Sequence, residues 1–157
     1  NKGQLIALDI YESKLKKLKK RARRNGVHNV ETRVIDSNKV IKKLHNSADR
    51  LLLDAPCSGL GVIKRNPDSK WKLEPEFVDR IMGVQQDILQ NYSKMVKKGG
   101  QMVYATCSIL PQENSEQVKK FLESENGKDF ELVRERNIYA SETGFDGFYM
   151  ALMKKKD

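Results

Sequence analysis

Cysteine is scarce in this chain, with two residues in 157, Cys57 and Cys107. That is too few for the disulfide framework of a small secreted protein. Neither residue belongs to a CxxC pair or a Cys/His cluster, which argues against zinc. No apolar run approaches the roughly 20 residues of a membrane-spanning helix, and the first residues lack the apolar core of a signal peptide. Low-complexity tracts, internal repeats and an interdomain linker are missing too, and no GxGxxG-like run occurs anywhere. These absences point to one globular domain over residues 1–157, with no membrane and no metal, in a reducing, cytoplasmic setting. A chain of this length can bury a core without staples.

Positive charge is abundant. Thirty Lys and Arg against 21 Asp and Glu leave a net charge of +9. Such an excess suits a polyanionic partner, nucleic acid being the usual one. A basic protein with no such partner is the plainer alternative.

Hydrophobic patterning alternates between strand and helix periods. Residues 4–9 read as a buried strand ending at Asp9, and 11–25 as a helix with Leu15, Leu18 and Ala22 inward and Gly26 as its stop. Residues 30–36 form a second strand ending at Asp36, 37–46 a short helix, and 50–54 a third strand ending at Asp54. A polar loop over 55–73 leads to the longest helix, opened by Glu74-Pro75. Its stripe is Phe77, Ile81, Val84, Ile88, Tyr92 and Met95, and Gly99-Gly100 closes it. A strand over 101–106, a helix over 111–125 and strands over 130–134 and 148–153 complete the chain. Alternating elements with apolar strands predict an α/β fold built on a mostly parallel, doubly wound sheet.

In such a sheet chemistry gathers at the carboxyl ends of the strands. Both cysteines sit there, one in Asp54-Ala55-Pro56-Cys57-Ser58-Gly59, the other in Ala105-Thr106-Cys107-Ser108. Parallel neighbours about 5 Å apart could bring the two thiols into one pocket; two inert core cysteines are the bland reading. Three strands end in acids. An acid after the second strand of a nucleotide-binding unit commonly takes ribose hydroxyls, whereas Asp36-Ser37 could serve only to cap a helix. The loop after Cys57 carries Lys64, Arg65, Lys70, Trp71 and Lys72, a mixture of cations and an aromatic suited to nucleic acid. The denser basic run from Lys19 to Arg24 reads as a solvated helix face whose cations complement the helix dipole.

Together these residues resemble a family. Residues 54–61 (DAPCSGLG), 65–71 (RNPDSKW) and 105–108 (ATCS) are similar to motifs of the RNA cytosine-5 methyltransferases of the Sun/Fmu (RsmB-type) group. Pro111-Gln112-Glu113-Asn114 and Asp146-Gly147-Phe148 extend the likeness to nearly the whole chain. The Asp/Asn-Pro-Pro-aromatic turn of adenine-amino methyltransferases is absent. The resemblance implies a Rossmann-like class I methyltransferase sheet ordered 3-2-1-4-5-7-6 that uses S-adenosyl-L-methionine. It implies Asp9 on the ribose hydroxyls, Asp36 at the adenine end, and Asp54 between cofactor and base. Cys107 is implied as the nucleophile toward C6 of cytosine, and Cys57 as the aid to its release. Swapped cysteine roles, as in DNA cytosine-5 enzymes, are the mechanistic alternative. Lys64, Arg65 and Lys70 are the candidate RNA contacts, and ribosomal RNA is the implied substrate.

The family places a strand and a glycine-rich turn before the segment with which this sequence starts. The expectation is therefore an N-terminally truncated sheet, the C-terminal portion of a catalytic domain, completed by the preceding segment or another chain. A fragment that binds RNA or a partner chain without catalysis is the alternative.

Overall fold

A computed structural model describes residues 1–157 apart from the Lys72 side chain, so that member of the loop's basic set lies outside the description. Two compact units emerge, Asn1–Leu44 and His45–Asp157.

In the first unit, β1 (Leu5–Asp9) and β2 (Val30–Val34) form a parallel pair, with α1 (Glu12–Arg24) between them in sequence and α2 (Asn38–Lys42) after them. Leu15 is buried from α1, while Leu18 is more exposed than the apolar stripe predicts. β1 is less buried than its composition suggests: Leu5 is exposed and Ile6 to Asp9 are half-buried. Every cation from Lys19 to Arg24 is exposed, as a solvated face requires.

The second unit holds a four-stranded sheet in the order β3-β4-β6-β5 (β3 Ala48–Asp54, β4 Val96–Thr106, β5 Phe130–Ile138, β6 Phe148–Lys155). β3 and β4 are parallel, and β6 runs antiparallel to both β4 and β5. The sheet is therefore mixed rather than mostly parallel. Strands β2-β1 and β3-β4-β6-β5 correspond to the 3-2 and 4-5-7-6 runs of the order implied by the resemblance. No described strand pairs with both β1 and β3.

Alternation along the strands places the core. Met102, Tyr104 and Thr106 of β4 register against Met153, Ala151 and Tyr149 of β6, and all six are buried. Leu89 of α4 (Pro75–Tyr92, which follows the single-turn α3, Ser69–Lys72) joins Val118 and Phe121 of α5 (Ser115–Leu122) in that cluster. By contrast, Leu52, in the middle of β3, is 68% exposed, on the opposite face of the strand from buried Leu53.

Two helix expectations are corrected. α4 ends at Tyr92 in a short 3-10 turn, and Gly99-Gly100 lies within β4 instead of closing the helix. There the register slips between Ala48 and Arg50, and Gly99 takes up the slip at φ +69°. A side chain on Gly100 would stand 2.9 Å from the Lys97 carbonyl oxygen and 3.1 Å from that of Ala48. The buried stripe of α4 runs through Gln85 and Leu89 while Val84 faces outward, because polar Gln85 is drawn inward by buried hydrogen-bond partners.

Candidate active site

The last register pair of β3 and β4 is Asp54 with Ala105, and the pairing extends one step further as Ala55 N–H donates to the Ala105 carbonyl at 2.9 Å. Both chains then leave the sheet side by side. Two residues beyond, the sulfurs of Cys57 and Cys107 lie 3.3 Å apart, each half-buried and neither in a disulfide. Parallel neighbours have thus placed residues 50 positions apart in sequence within contact distance.

The pair is asymmetric. A hydrogen bond from the Cys57 thiol stabilises the Cys107 thiolate and lowers its pKa to about 7, against the opposing effects of burial and of the negative charges on Asp54 and Glu113. Cys57 moves the other way, chiefly because its proton is held in that bond and secondly through burial. The two thiols share one proton, and near neutral pH the thiolate belongs to Cys107.

Short links fix the surrounding loops. Gly61 N–H donates to the Cys107 carbonyl at 2.9 Å, and Gly147 N–H donates to the Gly61 carbonyl at 2.7 Å. Three motifs distant in sequence are therefore tied backbone to backbone. A Cβ on Gly61 would lie 2.7 Å from the Cys107 carbonyl oxygen and closer still to that of Gly147, so glycine is obligatory there. Thr106 Oγ1 donates to Asn114 Oδ1 at 2.5 Å, and Asn114 Nδ2 donates to the Ser108 carbonyl at 3.0 Å, which clamps the Thr-Cys-Ser turn.

The sequence reading missed one part of the site. Glu113, noted there only as part of a motif, is a wholly buried carboxylate. It accepts from Ser58 N–H at 2.7 Å, Ser58 Oγ at 2.5 Å, Gln85 Nε2 at 3.2 Å and the Ser108 hydroxyl. Gln85 Nε2 also donates to the Pro56 carbonyl at 2.9 Å, and Gln85 Oε1 is buried without a hydrogen-bond partner among the described residues. Nothing in the sequence signalled this role, since Ser58 lies 55 residues from Glu113.

The remaining candidates are placed as follows. Asp54 is exposed at the end of β3, near enough to Cys107 for its charge to act on the thiol. In the first unit, Asp9 is half-buried at the end of β1; its Oδ1 accepts from Tyr11 N–H at 2.8 Å, and Lys14 Nζ lies 3.8 Å from Oδ2. Asp36 is exposed two residues beyond β2 and accepts from Ser37 Oγ at 3.0 Å. Neither Asp36 nor Ser37 caps α2 through its side chain. Lys64 and Lys70 are exposed, and Lys70 Nζ sits 4.8 Å over the ring of Trp71, itself 81% exposed. Arg65 is exposed too, but its Nε contacts Asp146 Oδ2 at 2.6 Å.

Comparison with known proteins gives a consistent outcome. A family model described as 16S rRNA methyltransferase RsmB/F matches residues 1–154. Ribosomal RNA small subunit methyltransferase B of Proteus mirabilis (strain HI4320) is 38% identical over 156 residues, covering 99% of this chain and 36% of the relative. The probable ribosomal RNA small subunit methyltransferase B of Bacillus subtilis (strain 168) is 34% identical over 172 residues, covering 99% and 38%. Among solved structures, NSun6 from Pyrococcus horikoshii with SFG superposes at a TM-score of 0.84 with 27% identity, over 99% of this chain and 42% of that one. The chain spans somewhat more than a third of the length of these curated relatives. Its α/β arrangement is part of the Rossmann-like fold of S-adenosylmethionine-dependent methyltransferases.

Proposed function

The chain belongs to the RsmB/F family of 16S rRNA methyltransferases, and from that membership we propose that it carries the cysteine centre of an enzyme methylating C5 of a cytosine in ribosomal RNA. The observation that carries this reading is the Cys57–Cys107 contact of 3.3 Å, with its thiolate on Cys107. Carbon 5 of an aromatic pyrimidine is a poor nucleophile. Addition of the Cys107 thiolate at C6 breaks the aromaticity and makes C5 enamine-like. Asp54, at the strand end next to the thiol pair, is suited to a hydrogen bond at N3 and the exocyclic amine, where the adduct needs stabilisation.

S-adenosyl-L-methionine, when bound, supplies an electrophilic methyl group on a sulfonium. The residues present suit it: Asp9 offers a carboxylate oxygen free of backbone bonds to the ribose hydroxyls, and exposed Asp36 is available to the adenine end. After transfer a solvent water takes the C5 proton, and the electrons of that bond re-form C5=C6 and expel Cys107 from C6 as a thiolate. The Cys57 thiol, which stays protonated, assists this release by restoring its hydrogen bond to the departing Cys107 sulfur. The thiolate's location supports this division of labour over the swapped one.

Lys64 and Lys70 take RNA phosphates, Trp71 offers a stacking face, and Arg65 adds its charge when released from Asp146. The test is methyl transfer to ribosomal RNA by the full-length protein. Cys107→Ala is expected to abolish transfer, and an active Cys107→Ala enzyme would sink the assignment.

A further inference from the structure

The mechanism above leaves Glu113 without a task, although it is the most deeply placed acid near the site. Burying a carboxylate is unfavourable unless ion pairs or hydrogen bonds replace its water. Glu113 forms no ion pair among the described residues, and four donors satisfy it instead. Their origin is informative. Ser58 directly follows Cys57, Ser108 directly follows Cys107, and both serine hydroxyls converge on the same oxygen, Oε2. The two Oγ atoms lie 3.3 Å apart, the same separation as the two sulfurs. Each hydroxyl also accepts a backbone N–H of its own loop, from Leu60 at 3.4 Å and Leu110 at 3.1 Å. One carboxylate therefore gathers both cysteine loops.

We propose that Glu113 is a positioning residue that locks the two loops together through Ser58 and Ser108 and so holds the sulfurs of Cys57 and Cys107 in contact. This deepens the proposed function and rests on it for its catalytic meaning, but the geometric claim stands by itself. A buried carboxylate that served only as background charge would act on Cys107 with the opposite sign. Its negative charge disfavours the thiolate, whereas the contact it maintains favours it. The titratable groups facing Cys107 are Cys57, Asp54 and Glu113, and Tyr104 neighbours Cys57 and Glu113.

The experiment is alkylation of the chain with iodoacetamide across a pH series, with Cys57 and Cys107 quantified separately by peptide mass spectrometry. It needs neither RNA nor cofactor, so a failed methyl-transfer assay leaves it intact, and its own failure leaves the methyltransferase reading standing. Wild-type Cys107 is expected to titrate near pH 7. Glu113→Gln, which removes the charge and keeps the volume, should raise that midpoint by about one pH unit or more, toward the ~8.5 of an ordinary thiol. An unchanged or lowered midpoint overturns the proposal. If Glu113→Gln does not fold, the double variant Ser58→Ala/Ser108→Ala decides, since it keeps the carboxylate and removes both hydroxyl links. Its midpoint must rise as well, and an unmoved one overturns the proposal equally.

Discussion

Gly61 gives the sharpest structural prediction, because what a side chain would meet there is backbone. An added methyl group would stand 2.7 Å from the Cys107 carbonyl oxygen and nearer still to that of Gly147. Neither atom can rotate away, so the loops must separate. Overpacking of this kind costs about 1–3 kcal/mol. Separation also weakens the two hydrogen bonds that Gly61 makes to Cys107 and Gly147, at about 1 kcal/mol each. Gly61→Ala should therefore destabilise the larger unit by about 2–5 kcal/mol, a drop in Tm of roughly 8–20 °C for a unit of this size. Gly83 is the internal control. It lies within α4 with nothing within 4 Å of its virtual Cβ, so Gly83→Ala should stabilise by about 0.5–1 kcal/mol through helix propensity. The assay is thermal melting followed by near-ultraviolet circular dichroism of Tyr104 and Tyr149, both fully buried. Two substitutions of identical chemistry should shift the melt in opposite directions. A Gly61→Ala chain that melts with the wild type would refute the close-packed junction on which the site geometry depends.

Further predictions concern the site's chemistry. Cys57→Ala removes the donor to the Cys107 thiolate, so alkylation of Cys107 at pH 7 should fall several-fold and its midpoint should move up toward the ordinary thiol value. Methyl transfer by the full-length protein should rise with pH through about 7, because the thiolate is the reactive form and is lost below its lowered pKa; a rate flat from pH 6 to 8 would count against Cys107 as nucleophile. On single-stranded RNA, Lys64→Ala and Lys70→Ala should each reduce the salt slope of binding by about 0.7. Arg65→Ala should reduce it less, since Asp146 already neutralises that side chain. Equal effects of all three would show that the Arg65–Asp146 pair does not persist in solution.

How far the sequence foretold this arrangement depended on the range of the interactions involved. The thiol pair was legible because its causes are local: two apolar runs end in Pro-Cys and Thr-Cys, and parallel neighbours set their ends side by side. The Glu113 network was not, because its serine partner Ser58 lies 55 residues away and no periodicity announces it. The same network explains why Gln85, polar by composition, displaced Val84 from the buried stripe of α4. Gly99-Gly100 looked like a helix stop because glycine ends helices and shapes β-bulges through the same freedom at positive φ. β3 read as an apolar strand, yet only one of its faces is covered: Leu53 is buried while Leu52 on the other face is exposed. The Arg65–Asp146 pair was not legible either, since Asp146 sits in a motif 81 residues away that the charge pattern of the loop does not mention.

The central claim is that Cys107 attacks the base and Cys57 releases it. The direct measurement is covalent trapping: the full-length Cys57→Ala variant is incubated with ribosomal RNA and S-adenosyl-L-methionine and resolved on a denaturing gel. A protein–RNA adduct that accumulates in Cys57→Ala and vanishes in Cys57→Ala/Cys107→Ala is the result the account predicts. An adduct that persists without Cys107, or forms through Cys57 in a Cys107→Ala protein, would contradict it.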